Sequence, residues 1–154
     1  MSRNPLYSLL ATPAYAAPLY LRMALAAVFF YHGTQKAFGW FGGDGWSRTL
    51  ALWSELDGVH LPGPIIAAII VGELLIAASL FLGFFTRLGG LGVFFIMAGA
   101  LYYVHGGTTF AAVEYPLVLM ACGIALVCIG GGKFSVDRGI SSNLLPGLGD
   151  EITR

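Results

Sequence analysis

Four long apolar runs separated by short polar connections dominate the chain. They cover about residues 18–39, 63–83, 87–105 and 113–131, each near the roughly 20 residues that carry a helix across a 30 Å hydrocarbon layer. Pro18 and Pro64 stand at helix starts, where a missing N–H costs nothing, and Pro116 is placed in the first turn of the fourth run. The link Gly83-Phe84-Phe85-Thr86 is too short for anything but an antiparallel helical hairpin, and residues 106–112 join the last two helices in the same way. The pattern therefore predicts an all-α membrane protein, a four-transmembrane-helix antiparallel bundle forming a single domain over residues 1–154. In the one long connection, a turn at Gly42-Gly43-Asp44-Gly45 precedes Trp46, Leu50 and Trp53 at helical spacing. This predicts a short interfacial helix over about 46–57 between helices 1 and 2, read either as a headgroup anchor or as a lid. Residues 132–154 are expected to form a tail.

The polar positions inside the apolar runs carry the functional information. Arg22, Phe29 and Lys36 recur at sevens, with His32 one turn before Lys36, so all four share one stripe of the first helix. Glu73 lies near the middle of the second run among Ile69, Ile70, Ile76 and Ala77. A carboxylate there costs several kcal/mol unless it is paired or protonated. At 1.5 Å per residue, His32 is placed about 10 Å and Glu73 about 14 Å below the outer boundary, with His105 and Glu114 near that boundary. His32, Lys36, Glu73, His105 and Glu114 are expected to converge in the outer half, with Tyr31, Tyr102, Tyr103 and Tyr115 close by. Such a cluster is either a network that fixes helix register or a site that binds a quinone head and relays protons. Haem ligation by His32 and His105 is disfavoured by depths that differ by about 10 Å. No metal site is expected. At the other end Arg22, Arg87, Asp137 and Arg138 are expected to form a structural charge network. Asp137 is assigned to one of the arginines and Lys133 to the last carbonyls of the fourth helix.

Composition agrees with a membrane protein. The 154 residues are 57% hydrophobic and 10% charged, with a mean hydropathy of +0.79. A soluble domain carries about a quarter charged residues. Net charge is zero, which gives nucleic acid no electrostatic footing. Arg3, Arg22, Arg87, Lys133, Arg138 and Arg154 fall on the side of the termini, against Lys36 and Arg48 opposite. The positive-inside rule then puts both termini in the cytoplasm and the protein in the inner membrane. Cys122 and Cys128 lie six apart in one run, which suits small core residues better than a reactive dithiol. Residues 1–17 hold too short an apolar stretch, broken by Pro5 and Pro13, for a signal peptide. The run Gly130-Gly131-Gly132-Lys133 lacks the spacing of a phosphate loop and is read as a helix stop.

Taken in order, Arg22 with His32-Gly33 and Lys36, then Gly72-Glu73-Leu74, Gly83-Phe84-Phe85-Thr86-Arg87, His105, Glu114-Tyr115 and the ending from Gly130 to Asp137 resemble the DoxX family of bacterial membrane proteins. The resemblance implies a four-helix integral membrane protein. Because that family is similar to the membrane subunit of thiosulfate:quinone oxidoreductase, it also implies a link to quinone redox chemistry. The first functional reading is a quinone-linked redox subunit with the cluster as its quinone and proton site. The alternative is a non-catalytic accessory subunit packed against a larger membrane complex, or a homo-oligomer, through small residues such as Ala67, Ala68, Gly72, Gly89, Gly90, Gly92 and Gly99. A transporter ranks third, since four helices enclose little pore.

Overall fold

A computed structural model describes residues 10, 12, 15–55, 61–103 and 109–144. The described residues form helices and connections without a strand. In order they are α1 (Ala17–Phe38), a 3-10 turn (Trp40–Gly42), α2 (Gly45–Glu55), α3 (Gly63–Leu82), α4 (Thr86–Tyr103), α5 (Phe110–Ile129) and α6 (Val136–Leu144). Proline stands at the starts of α1 and α3. Glycines in left-handed conformation end both, Gly39 at φ 72° and Gly83 at φ 68°. Two local features differ from the expectation. The fourth long helix begins at Phe110, so Pro116 sits inside it and cannot donate to the carbonyl four residues back. The segment expected as a plain tail contains α6, which opens with Asp137 in its first turn.

The four long helices contact one another in a ring, α1 with α3, α3 with α4, α4 with α5 and α5 with α1. Leu25, Ala26 and Phe29 of α1 meet Ile76, Ala77 and Leu80 of α3, Val93 of α4, and Leu119 and Leu126 of α5 in one apolar core. α4 crosses α5 at backbone distance. A β-carbon on Gly90 would lie 2.5 Å from the carbonyl oxygen of Gly123, and one on Gly123 would lie 2.7 Å from that of Gly90. Gly89 and Gly92 likewise face Leu80 and Ile76 of α3. Of the small residues expected to face an outside partner, Gly89, Gly90 and Gly92 are thus used within the chain, while Ala68 is exposed and Gly99 open. The outer surface of the chain carries large apolar side chains such as Val71, Leu75, Phe81, Leu91, Phe95 and Val118.

Three of the helices, α3, α4 and α5, are long and apolar enough to cross a membrane. The chain is a membrane protein with several apolar helices in contact with lipid. α1 has 22 residues but falls short in apolar content because Arg22, His32, Gln35 and Lys36 interrupt it.

The end of the bundle nearest α6 is closed by hydrogen bonds to backbone. Both carboxylate oxygens of Asp137 accept N–H bonds from the start of α4, from Phe85 at 2.7 Å and Thr86 at 2.8 Å. Asp137 therefore caps a helix from another part of the chain, and its charge also acts on Arg22, one of the expected arginines, without a direct ion pair. The exposed N–H groups and positive dipole end of α4 make that helix end the better partner. Buried Arg22 donates to the carbonyls of Gly131 at 2.8 Å and Phe134 at 3.0 Å. Arg87 donates to Val127 and Cys128 in the last turn of α5, the place expected for Lys133. Lys133 is exposed and lies over the ring of Phe134. Arg138 reaches the carbonyl of Thr12 at 3.2 Å.

Two outcomes follow. Gly90→Leu puts a side chain against the Gly123 carbonyl and lowers stability by about 1–3 kcal/mol or more, read as a fall in thermal midpoint in mild detergent. Asp137→Ala removes the charged cap from two buried N–H groups, costing about 1–3 kcal/mol and loosening α6, read as faster proteolysis after Gly132.

Candidate functional site

The site is built where α1 comes closest to α3. Gly33 faces the Glu73–Leu74 step, and a β-carbon there would lie 2.9 Å from Leu74 Cδ2 and 3.3 Å from Glu73 Cβ. That approach lets Lys36, almost one turn further along α1, reach the carboxylate. Lys36 Nζ donates to Glu73 Oε1 in a salt bridge whose side chains are 21% and 3% exposed. Glu73 Oε2 is buried and has no hydrogen-bond partner among the described residues.

α2 folds over this pair. Leu50 and Trp53 pack on a second apolar cluster of Leu61, Ile66 and Ile70. Thr49 is buried against α1 and donates to the carbonyl of Lys36 at 3.4 Å. The Trp53 ring stands 5.1 Å from Lys36 Nζ, so the ammonium lies between a carboxylate and an aromatic face. Trp46, at the same helical spacing, is 40% exposed.

Beneath α2 lies a cavity of about 1090 Å³, as large as the biggest ordinary ligand pockets, roughly 300–1,000 Å³. Its walls are mostly apolar, with Phe29, Ile69, Ile76, Phe95, Ile96 and Leu119 prominent. Its polar groups are His32 and Lys36 from α1, Glu73 from α3, Tyr103 from α4 and Tyr115 from α5, with Trp53 at the α2 side. Most of the lining residues of the long helices lie in the half nearest the α1–α3 connection, with Glu73, Leu75, Ile76 and Gly92 just past the helix midpoints. His32 is half-buried beside Tyr31, its ring edge-on at 5.3 Å, and makes no hydrogen bond to a described residue.

Four of the expected site residues, His32, Lys36, Glu73 and Tyr115, line this one cavity. Two do not. Tyr102 is 77% exposed and Glu114 is exposed, and neither is in the wall. Consecutive helix positions are rotated by about 100°: Tyr103 and Tyr115, themselves 45% and 50% exposed, border the cavity, while their neighbours Tyr102 and Glu114 do not. His105 lies outside the described residues. Trp53, expected as an anchor or part of a lid, contacts Lys36, which its spacing alone does not disclose. The helical spacing from Trp46 through Leu50 to Trp53 was the signal available. Among the described residues no three His, Cys, Asp or Glu side chains come together to hold a metal ion. Cys122 and Cys128 are free thiols.

An ionised carboxylate accepts hydrogen bonds only, and an ammonium donates only. The arrangement therefore offers a spare buried acceptor, two unused ammonium protons and an imidazole at the edge of an apolar chamber, which suits the polar end of an otherwise greasy molecule. The ion pair also sets a stability signature. Lys36→Met leaves Glu73 buried without its cation and costs about 3–5 kcal/mol, while adding Glu73→Leu restores most of that loss. Thermal unfolding of the two single variants and the double variant measures the coupling.

A DoxX family model matches residues 17–106, well over half of the chain and the segment that holds His32, Lys36, Glu73 and Tyr103. Comparison with curated proteins and with solved structures found no match. On the strength of that family match, the chain belongs to the DoxX family.

Proposed function

We propose that the protein crosses the inner membrane four times, with α1 as a span, α2 at the interface and both termini in the cytoplasm. The support lies in the faces of α1. Its 22 residues extend about 33 Å. Its exposed positions include Tyr20, Ala24, Ala27, Phe30, Tyr31 and Phe38, and none is charged, while Arg22 and Thr34 are buried. A water-facing helix has the opposite pattern. The arginine-rich end sits with the termini, as the positive-inside rule requires.

Within that frame the protein is a quinone-binding membrane subunit, and the cavity holding the Lys36–Glu73 pair is its site. The single observation that carries this reading is a buried carboxylate oxygen without a partner among the described residues, in the wall of a large apolar cavity. Glu73 and Lys36 would hold the head, His32 and Tyr115 would exchange protons with it, and the apolar walls would take the chain. A bound quinone supplies two-electron, two-proton chemistry, with the electrons passing to or from a protein partner. A silent accessory subunit is the weaker reading, because Gly89, Gly90 and Gly92, three of the seven small residues proposed as its contact surface, are covered by the chain's own side chains and backbone.

The test is equilibrium binding of a decyl-benzoquinone, in both redox forms, to the purified protein. Glu73→Gln is expected to weaken the form that binds by about tenfold, with helical content and elution volume unchanged. Unaltered affinity in that variant would remove Glu73 from the site.

A further inference from the structure

The cavity has a buried back wall and reaches the outer surface between α3 and α4. Behind it stand the buried Phe29 of α1 and Leu119 of α5, and above it lie Trp53 and Leu61. Towards the hairpin, α3 and α4 touch: Gly89 meets Leu80, and a β-carbon on Gly92 would lie 2.8 Å from Ile76 Cδ1. Farther from the hairpin the contact between the two helices loosens, from ordinary contact at Gly72 to open space at Gly99. A β-carbon on Gly72 would lie 3.7 Å from Ile96, and one on Gly99 would meet nothing within 4 Å, although Gly99 lines the cavity. The residues along this gap belong to the cavity wall and to the outer surface at once, with Leu75 and Phe95 each 64% exposed. The gap has apolar lips and faces acyl chains.

At the inner end of the gap the chemistry is selective. In its salt bridge with Lys36, Glu73 presents a second carboxylate oxygen, Oε2, and a carboxylate oxygen accepts hydrogen bonds only. A buried acceptor left unpaired is costly, and only an O–H or N–H donor relieves that cost. We propose that the cavity takes a chain-bearing amphiphile whose polar end carries a hydroxyl, with that hydroxyl donating to Glu73 Oε2 and the chain leaving sideways between α3 and α4. Resting on the quinone reading above, this makes the reduced quinol the favoured form, since either redox form can accept from Lys36 but only the quinol can also donate to Glu73 Oε2.

The experiment uses the full chain in nanodiscs without oxygen and compares three probes: a decyl-benzoquinol, the matching decyl-benzoquinone and tail-free hydroquinone. The quinol is expected to bind about tenfold more tightly than the quinone. Gly99→Leu, which narrows the gap from α4, is expected to weaken the decyl-quinol about tenfold or more and to leave tail-free hydroquinone unchanged. Ala68→Leu does the same from the opposite lip and guards against a folding defect in either variant. Equal affinity for the two redox forms overturns the hydroxyl assignment. Undiminished decyl-quinol binding in both gap variants overturns the sideways path. If neither redox form binds the unaltered protein, the quinone reading itself is wrong.

Discussion

A lysine and a glutamate meeting between two apolar helices is the contact on which the outer half of this structure depends. Each charge alone is very expensive in a medium of low dielectric constant, and together they are tolerable only at hydrogen-bond distance. That requirement draws α1 onto α3, which is possible because Gly33 offers no side chain to hold Leu74 and Glu73 away. It also gives α2 a place to dock, since the lysine still has an open face and Trp53 covers it. The pair satisfies one carboxylate oxygen and leaves the other without a partner among the described residues. A contact that fixes the packing thus also leaves binding capacity in the cavity wall.

Charges at the opposite end do different work. Arg22, Arg87 and Arg138 end on carbonyl oxygens, and Asp137 ends on amide N–H groups. Helix termini leave such backbone groups unpaired, and a bundle that buries its ends must satisfy them with side chains. Gly83 is part of this arrangement: its left-handed φ of 68° turns the chain tightly between α3 and α4, and its carbonyl accepts from Asp137 N–H at 3.0 Å. These side chains are spent on the backbone. The cavity end keeps a free acceptor in an apolar space, so the two ends share residue types but differ in what they offer a ligand.

Much of this was legible before folding is considered. The long helices and the hairpin follow from hydropathy, prolines and glycines, and the grouping of His32, Lys36 and Glu73 follows from depth along each helix. Depth is a one-dimensional quantity, read by counting residues from a boundary. Rotation is not, and that is where reading the chain alone erred. Tyr102 and Tyr103, like Glu114 and Tyr115, stand at nearly the same depth, and only the packing of α4 and α5 decides which of each pair borders the cavity. Asp137 shows a related limit: opposite charge points to an arginine, and its charge does act on Arg22, but its hydrogen bonds go to the N-terminus of α4, which only the fold presents.

What the sequence determined by itself is the set of membrane-length helices and the burden of charge they carry. A backbone in lipid must satisfy its own hydrogen bonds, so a sufficiently long apolar run has essentially one conformation available. What the tertiary structure decided is which oxygen of Glu73 is used, which tyrosines see the cavity, and that the contact between α3 and α4 loosens away from the hairpin. Those outcomes depend on helix rotation and separation, which are set by contacts between residues far apart in the chain, such as Gly33 with Leu74 and Gly90 with Gly123.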